Sequence, residues 1–166
     1  AKPVEVPRRP NFDLDVVALR HAVHAGAGIV FLTSPNNPTG NPVNLAELEA
    51  LLALNALIVV DEAYVEFGGQ SVVPLIASHP NLVVLRTFSK WAGIAGLRLG
   101  YGIFPAWLMP TLWKAKQPYN VNVAATVAGL ASLAHRAEIQ RTVDALIVER
   151  ERLYRALAGV PFLHPY

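Results

Sequence analysis

The sequence has 166 residues, 53% of them hydrophobic and 16% charged, which is enough for one domain with a real core and too apolar for a disordered segment. Lys and Arg number 14 against 12 Asp and Glu, and a formal charge of +2 argues against a dedicated nucleic-acid binder. The absence of cysteine excludes disulfides, thiolate metal sites and a Cys nucleophile, and it is compatible with a reducing compartment such as the cytoplasm.

The segment from Ala1 to Asn11 is proline-rich and has no apolar stretch of the secretory kind. Nowhere does an apolar run approach the roughly 20 residues of a membrane span, so no membrane partner is expected. Gly28 to Thr33 reads as a strand running into the turn-forming residues Ser34 to Gly40. Asn44 follows as an N-cap with Glu47 in the capping-box position, and Leu45, Leu48, Leu51 and Leu52 form the helical stripe behind it. Ala56 to Val60 is a second strand, continuous in hydrophobicity and therefore expected to be buried on both faces. A short helix is expected over Val72 to Ser78, a third strand over Leu82 to Leu85, and a fourth over Leu97 to Phe104 with Gly100 and Gly102 inside it. Strands alternating with helices predict an α/β fold with a mainly parallel sheet flanked by helices. From Ala106 to about Ala158 the pattern is helical, broken near Gln117-Pro118 and around His135. The last helix carries Arg141, Glu149 and Arg152 on one side and Leu146, Leu153 and Leu157 on the other.

Ligands of open α/β sheets bind at the carboxyl ends of the strands, and three polar clusters stand there. Asn36-Asn37-Pro38-Thr39-Gly40 suits a tight turn as readily as a site. Asp61, emerging from four aliphatic residues, is either a cap or a rigidly held carboxylate that stays ionised beside a cation. Arg86-Thr87-Phe88-Ser89-Lys90, followed by Gly93, Gly96 and Arg98, is either a solvated loop or an anion cradle with a guanidinium fork.

These three clusters, Ser34-Pro-Asn-Asn-Pro-Thr-Gly40, Asp61-Glu-Ala-Tyr-Val-Glu-Phe67 and Arg86-Thr-Phe-Ser-Lys90 with Gly96-Leu-Arg98-Leu-Gly-Tyr101, together resemble the fold type I pyridoxal-phosphate-dependent aminotransferases. Within that family the chain is most similar to the histidinol-phosphate aminotransferases, from about Val4 to its C-terminal end. The resemblance implies pyridoxal 5'-phosphate as cofactor, an amino donor and a 2-oxo acid as substrates, and a cytoplasmic homodimer. It implies exchange of an amino group between histidinol phosphate and 2-oxoglutarate in histidine biosynthesis. Alternatives are a related enzyme that acts on another amino acid or decarboxylates a phosphorylated one, and an inactive chain that serves only in assembly. By this resemblance Lys90 would join the cofactor aldehyde and then shuttle the proton, and Asp61 would keep the pyridine nitrogen protonated. Tyr64 and Asn37 would hold the phenolic oxygen, while Ser89, Arg98 and, more weakly, Thr87 would bind the phosphate. Asn37-Pro38 would be a constrained peptide.

Residues 1–158 would then be part of the cofactor-binding large domain and 159–166 the start of a small C-terminal domain. Relatives of roughly twice this length make the chain read as the central, incomplete part of that fold, inactive alone. The family's phosphate-cradling loop, ring-stacking aromatic and substrate-binding Arg have no match in it. Tyr119 or Asn120 would stand near substrate or simply break a helix. His21 and His24, three apart, lack a third ligand nearby, and His79, His135 and His164 are isolated. Trp91, Trp107 and Trp113 suit packing or an interface.

Overall fold

The computed structural model describes residues 2–163. Its four strands are β1 (Ile29–Thr33), β2 (Leu57–Asp61), β3 (Leu82–Thr87) and β4 (Gly100–Ile103), in the order β1-β2-β3-β4. The first three run parallel, with Thr33 opposite Asp61 and Asp61 opposite Leu85. β4 runs antiparallel to β3, pairing Thr87 with Gly100 and Val84 with Ile103. The sheet is therefore mainly parallel, as the alternating pattern predicts.

Five α-helices accompany it: α1 (Val16–His24), α2 (Leu45–Leu52), α3 (Met109–Ala115), α4 (Val123–Ala134) and α5 (Arg136–Ala158). Short polar side chains start three of them by accepting orphan backbone N–H groups. Asp15 accepts from Ala18, Asn44 from Ala46 and Glu47, and Asn122 from Ala125. The expected breaks in the helical third fall at 116–122 and at His135. The helix expected over Val72 to Ser78 is instead a 3-10 turn, Val73–Ala77. Pro74 near its start removes a donor, and the chain turns into β3 only four residues after the turn ends.

One face of the sheet carries Val30, Leu32, Ile58, Val60, Leu82 and Val84, packed with Leu48, Leu51 and Leu52 of α2 and with Leu14 and Val23. Leu45, the first residue of the expected α2 stripe, stays exposed. Leu48 is fully buried, so Leu48→Ala is expected to lower the unfolding free energy by about 2–5 kcal/mol. A shift in the chemical denaturation midpoint at unchanged slope measures it.

On the other face, burial is uneven. Val59 and Val83 are buried, whereas Ile29 and Phe31 of β1 are 53% and 73% exposed. Val123, Val127, Leu130 and Leu133 form an exposed row along α4. The apolar side of α5 is also largely open: Leu146 and Leu153 are exposed and Val143 alone of that helix is buried. Among the described residues, no helix is long and apolar enough to cross a membrane. His164 lies outside the described residues.

Candidate active site

Parallel strands deliver their carboxyl ends to one edge, and the turns that leave β1, β2 and β3 carry all three sequence clusters. After β1 the chain folds back within seven residues through cis peptides at Ser34-Pro35 and Asn37-Pro38. Asn36 is consumed inside this turn. Its N–H donates to Asn41 O at 2.8 Å, its Oδ1 accepts from Thr33, and its Nδ2 donates to Thr39 Oγ1 at 2.8 Å. Gly40 adopts φ 77, a left-handed conformation that suits glycine, and donates to Asn36 O at 2.7 Å. Ser34 is buried and accepts from the Val43 N–H at 3.0 Å, so it ties the two ends of the turn together. The Asn37 side chain is left facing outward, and its Nδ2 donates to Tyr64 Oη at 3.2 Å.

Asp61 is the last residue of β2, half-buried, and its Oδ1 accepts from the Ala63 N–H at 2.9 Å. That bond bends the chain so that Tyr64 heads the 3-10 turn Val65–Phe67. Lys90 is exposed on the turn after β3, and its Nζ stands 5.0 Å from the centre of the Tyr64 ring. Asn37, Tyr64 and Lys90, from three different strand ends, thus form one contact cluster: an amide on a phenol oxygen and an ammonium over the same ring. Among the described residues, no hydrogen bond or ion pair joins Asp61 to Lys90.

The third cluster is ordered by its own backbone. Thr87 Oγ1 donates to Leu99 O at 3.2 Å and accepts from the Ser89 N–H at 3.0 Å. Phe88 is buried against Trp91 and Tyr101, with ring centres 5.2 and 5.8 Å apart. Arg98 has φ 59 and is exposed, and its Nη1 donates to the neutral Ala95 carbonyl at 2.9 Å. Arg98, Thr87 and Ser89 thus lie at the connection from β3 to β4, and among the described residues no hydrogen bond joins the guanidinium to either hydroxyl.

Arg86 does not belong to an anion cradle. Its Nε donates to Glu62 Oε2 at 2.9 Å and its Nη2 approaches the same oxygen at 2.7 Å. Nη1 reaches Glu66 at 3.1 Å, and Nη2 also donates to Ser71 Oγ at 2.8 Å. Glu62 is 0% exposed and accepts in addition from the Val72 N–H at 2.6 Å and Ser71 Oγ at 3.0 Å. The buried, ion-paired carboxylate at this strand end is Glu62, the neighbour of Asp61. Strand alternation explains this, because Asp61 and Glu62 project to opposite faces of the sheet.

Two cavities are lined by residues of these strand ends. One of about 700 Å³ has Asn37, Tyr64 and Phe67 on one wall and Arg150, Glu151 and Tyr154 of α5 on another. Arg150 Nη1 donates to Phe67 O at 2.6 Å. The second, about 230 Å³, brings Asp61 together with Phe31, Thr33, Leu85 and Arg8. Arg8 was not legible as a site neighbour, because two adjacent arginines in a proline-rich segment give no sign of which one turns inward. It donates to Phe12 O at 2.8 Å and Thr33 O at 3.2 Å. Burial holds its guanidinium below the ordinary arginine value, with Asp13 and Glu47 acting in the opposite sense.

Tyr119 is 94% exposed and Asn120 is exposed, and among the described residues no hydrogen bond or ring contact joins either to the cluster. His21 and His24 are exposed in the last turn of α1, and Trp107 spends its indole N–H on Pro80 O at 2.7 Å.

Residues 1–165 match the family model described as aminotransferase class I and II. The chain is 53% identical over 167 aligned residues to a histidinol-phosphate aminotransferase of Roseiflexus castenholzii, covering 100% of this chain and 45% of that protein. It is 51% identical to a chloroplastic histidinol-phosphate aminotransferase of Nicotiana plumbaginifolia, covering 98% and 40%. Among solved structures, the histidinol-phosphate aminotransferase of Sinorhizobium meliloti in complex with pyridoxal-5'-phosphate superposes with a TM-score of 0.82 at 30% identity, covering 93% of this chain and 44% of that one. The chain thus spans less than half the length of these relatives.

Proposed function

The chain belongs to aminotransferase class I and II, and from that premise we propose that it supplies the cofactor-binding core of a pyridoxal-phosphate-dependent histidinol-phosphate aminotransferase. The observation that carries this reading is the cluster of Asn37, Tyr64 and Lys90 at the carboxyl edge of the sheet. The names of relatives at 51–53% identity support the choice of amino donor.

The donor set fits the cofactor. An exposed amine stands beside a phenol already engaged by an amide, a carboxylate ends the central strand, and two hydroxyls and an arginine share the next turn. When bound, pyridoxal phosphate supplies a carbonyl that amines attack and a ring that takes up the electron pair released at the substrate's α carbon. Lys90 would supply the amine that meets that carbonyl, water being released, and would later carry the proton from the substrate α carbon. Asp61 would hold a proton on the ring nitrogen, since a nearby carboxylate favours the cationic form. Tyr64 Oη and Asn37 Nδ2, 3.2 Å apart, hold the phenolic oxygen. Ser89, Arg98 and Thr87 would take the phosphate. Arg98 would exchange a neutral carbonyl for an anion there, and charge-assisted bonds are the stronger ones. Homodimerisation, with the site at the subunit boundary, and a cytoplasmic location belong to the same proposal.

The intact protein incubated with pyridoxal phosphate is expected to develop a visible absorption band that borohydride abolishes, leaving the reduced cofactor on the peptide containing Lys90. With histidinol phosphate and 2-oxoglutarate it is expected to form glutamate. Cofactor fixed at another lysine refutes the assignment of Lys90. Turnover only with other donors, or release of carbon dioxide, moves the protein to a related reaction of the same cofactor.

A further inference from the structure

Arg86 is the one guanidinium among the described residues that bonds two carboxylates, and both flank a residue of the site. Glu62 stands two residues before Tyr64 and Glu66 two residues after it. Arg86 itself is one residue before Thr87 and four before Lys90. A single side chain therefore fastens both ends of the turn that presents Tyr64 to the strand whose continuation presents Lys90. Side-chain exposures of 17% for Arg86, 15% for Glu66 and 0% for Glu62 show that most of this network is withdrawn from water.

Desolvating charges is costly, and a packed apolar pair often serves stability as well. What an apolar pair lacks is direction. The planar fork fixes Glu62, Glu66 and Ser71 at once through Nε, Nη1 and Nη2, which a lysine point charge does not reproduce. Arg86 and Glu62 also lie on the sheet face opposite Asp61 and Thr87, so the network backs the cluster without entering it.

We propose that Arg86 is a positioning residue that acts through Tyr64: by clamping the turn between Glu62 and Glu66 it places the Tyr64 hydroxyl relative to Lys90. The inference rests on the cofactor-dependent reading above. Its test is a double-mutant cycle on the intact protein with Arg86→Lys, Tyr64→Phe and the pair, read as equilibrium affinity for pyridoxal phosphate and as kcat/KM. Arg86→Lys is expected to weaken both by about tenfold in the wild-type background and by less than about twofold when Tyr64 is already Phe. Glu66→Gln, which removes one ion pair and leaves Glu62 and Arg86 joined, is expected to give the same pattern at smaller amplitude, and it carries the cycle where Arg86→Lys fails to fold. Equal losses in both backgrounds identify a purely structural arginine and overturn the proposal, as does an unchanged affinity. Wild-type protein that binds no pyridoxal phosphate overturns the reading beneath it as well, and that outcome is distinct from additive losses in a protein that binds it.

Discussion

Lys90→Ala in the intact protein is expected to lower the rate of amino-group transfer by at least about 10²–10⁴-fold, the range that a single positioned acid–base group contributes. The true loss is expected to be larger, because in the proposed function the same nitrogen would serve twice, first as nucleophile and then as proton carrier. Cofactor affinity should fall much less, since Asp61, Asn37, Tyr64, Ser89 and Arg98 are untouched. The structure makes the substitution a clean one. Lys90 is exposed and its ammonium stands 5.0 Å from the centre of the Tyr64 ring, so truncation leaves no buried group unpaired. Single-turnover glutamate formation and thermal unfolding, measured side by side, separate chemistry from folding. Wild-type turnover in Lys90→Ala would remove the central element of the proposed function.

The largest loss of stability is expected one strand away, at Glu62→Ala. The change strands Arg86 in a site where its side chain is 17% exposed, and it deprives the Val72 N–H and the Ser71 hydroxyl of their acceptor. Breaking a buried ion pair from one side costs about 3–5 kcal/mol, whereas an exposed pair is worth under about 1 kcal/mol. The Arg152–Glu149 pair of α5, with side chains 70% and 59% exposed, provides the internal control. Denaturation midpoints for Glu62→Ala and Glu149→Ala decide the matter, and similar values for the two would show that the buried network contributes little.

The sequence carries the strands because β2 and the first half of β3 are unbroken aliphatic runs, and it carries the helix breaks because Pro118 and the run Gln117 to Asn122 cannot continue a helix. The positions of the cluster were legible for a similar reason, since each of its turns begins where an aliphatic run stops. What stayed hidden depends on contacts distant in sequence. That the acid on the core face finds a cationic partner is settled by Arg86, 24 residues beyond Glu62. The direction of β4 is settled by the twelve residues between Thr87 and Gly100, which fold as turns and contain no crossover helix. A β carbon at Gly102 would crowd the Phe104 ring. The apolar side of α5 is plain in the sequence, yet periodicity reveals only which residues align and nothing about whether a neighbour covers them.

Arg150 has a mechanical corollary. α5 has 23 residues, so it extends about 34 Å, and Arg150 lies about 21 Å along it. Its grip on the Phe67 carbonyl joins a long stiff rod to the turn headed by Tyr64. The helix that begins at the His135 break therefore reaches the turn beside the cluster directly, through one exposed guanidinium.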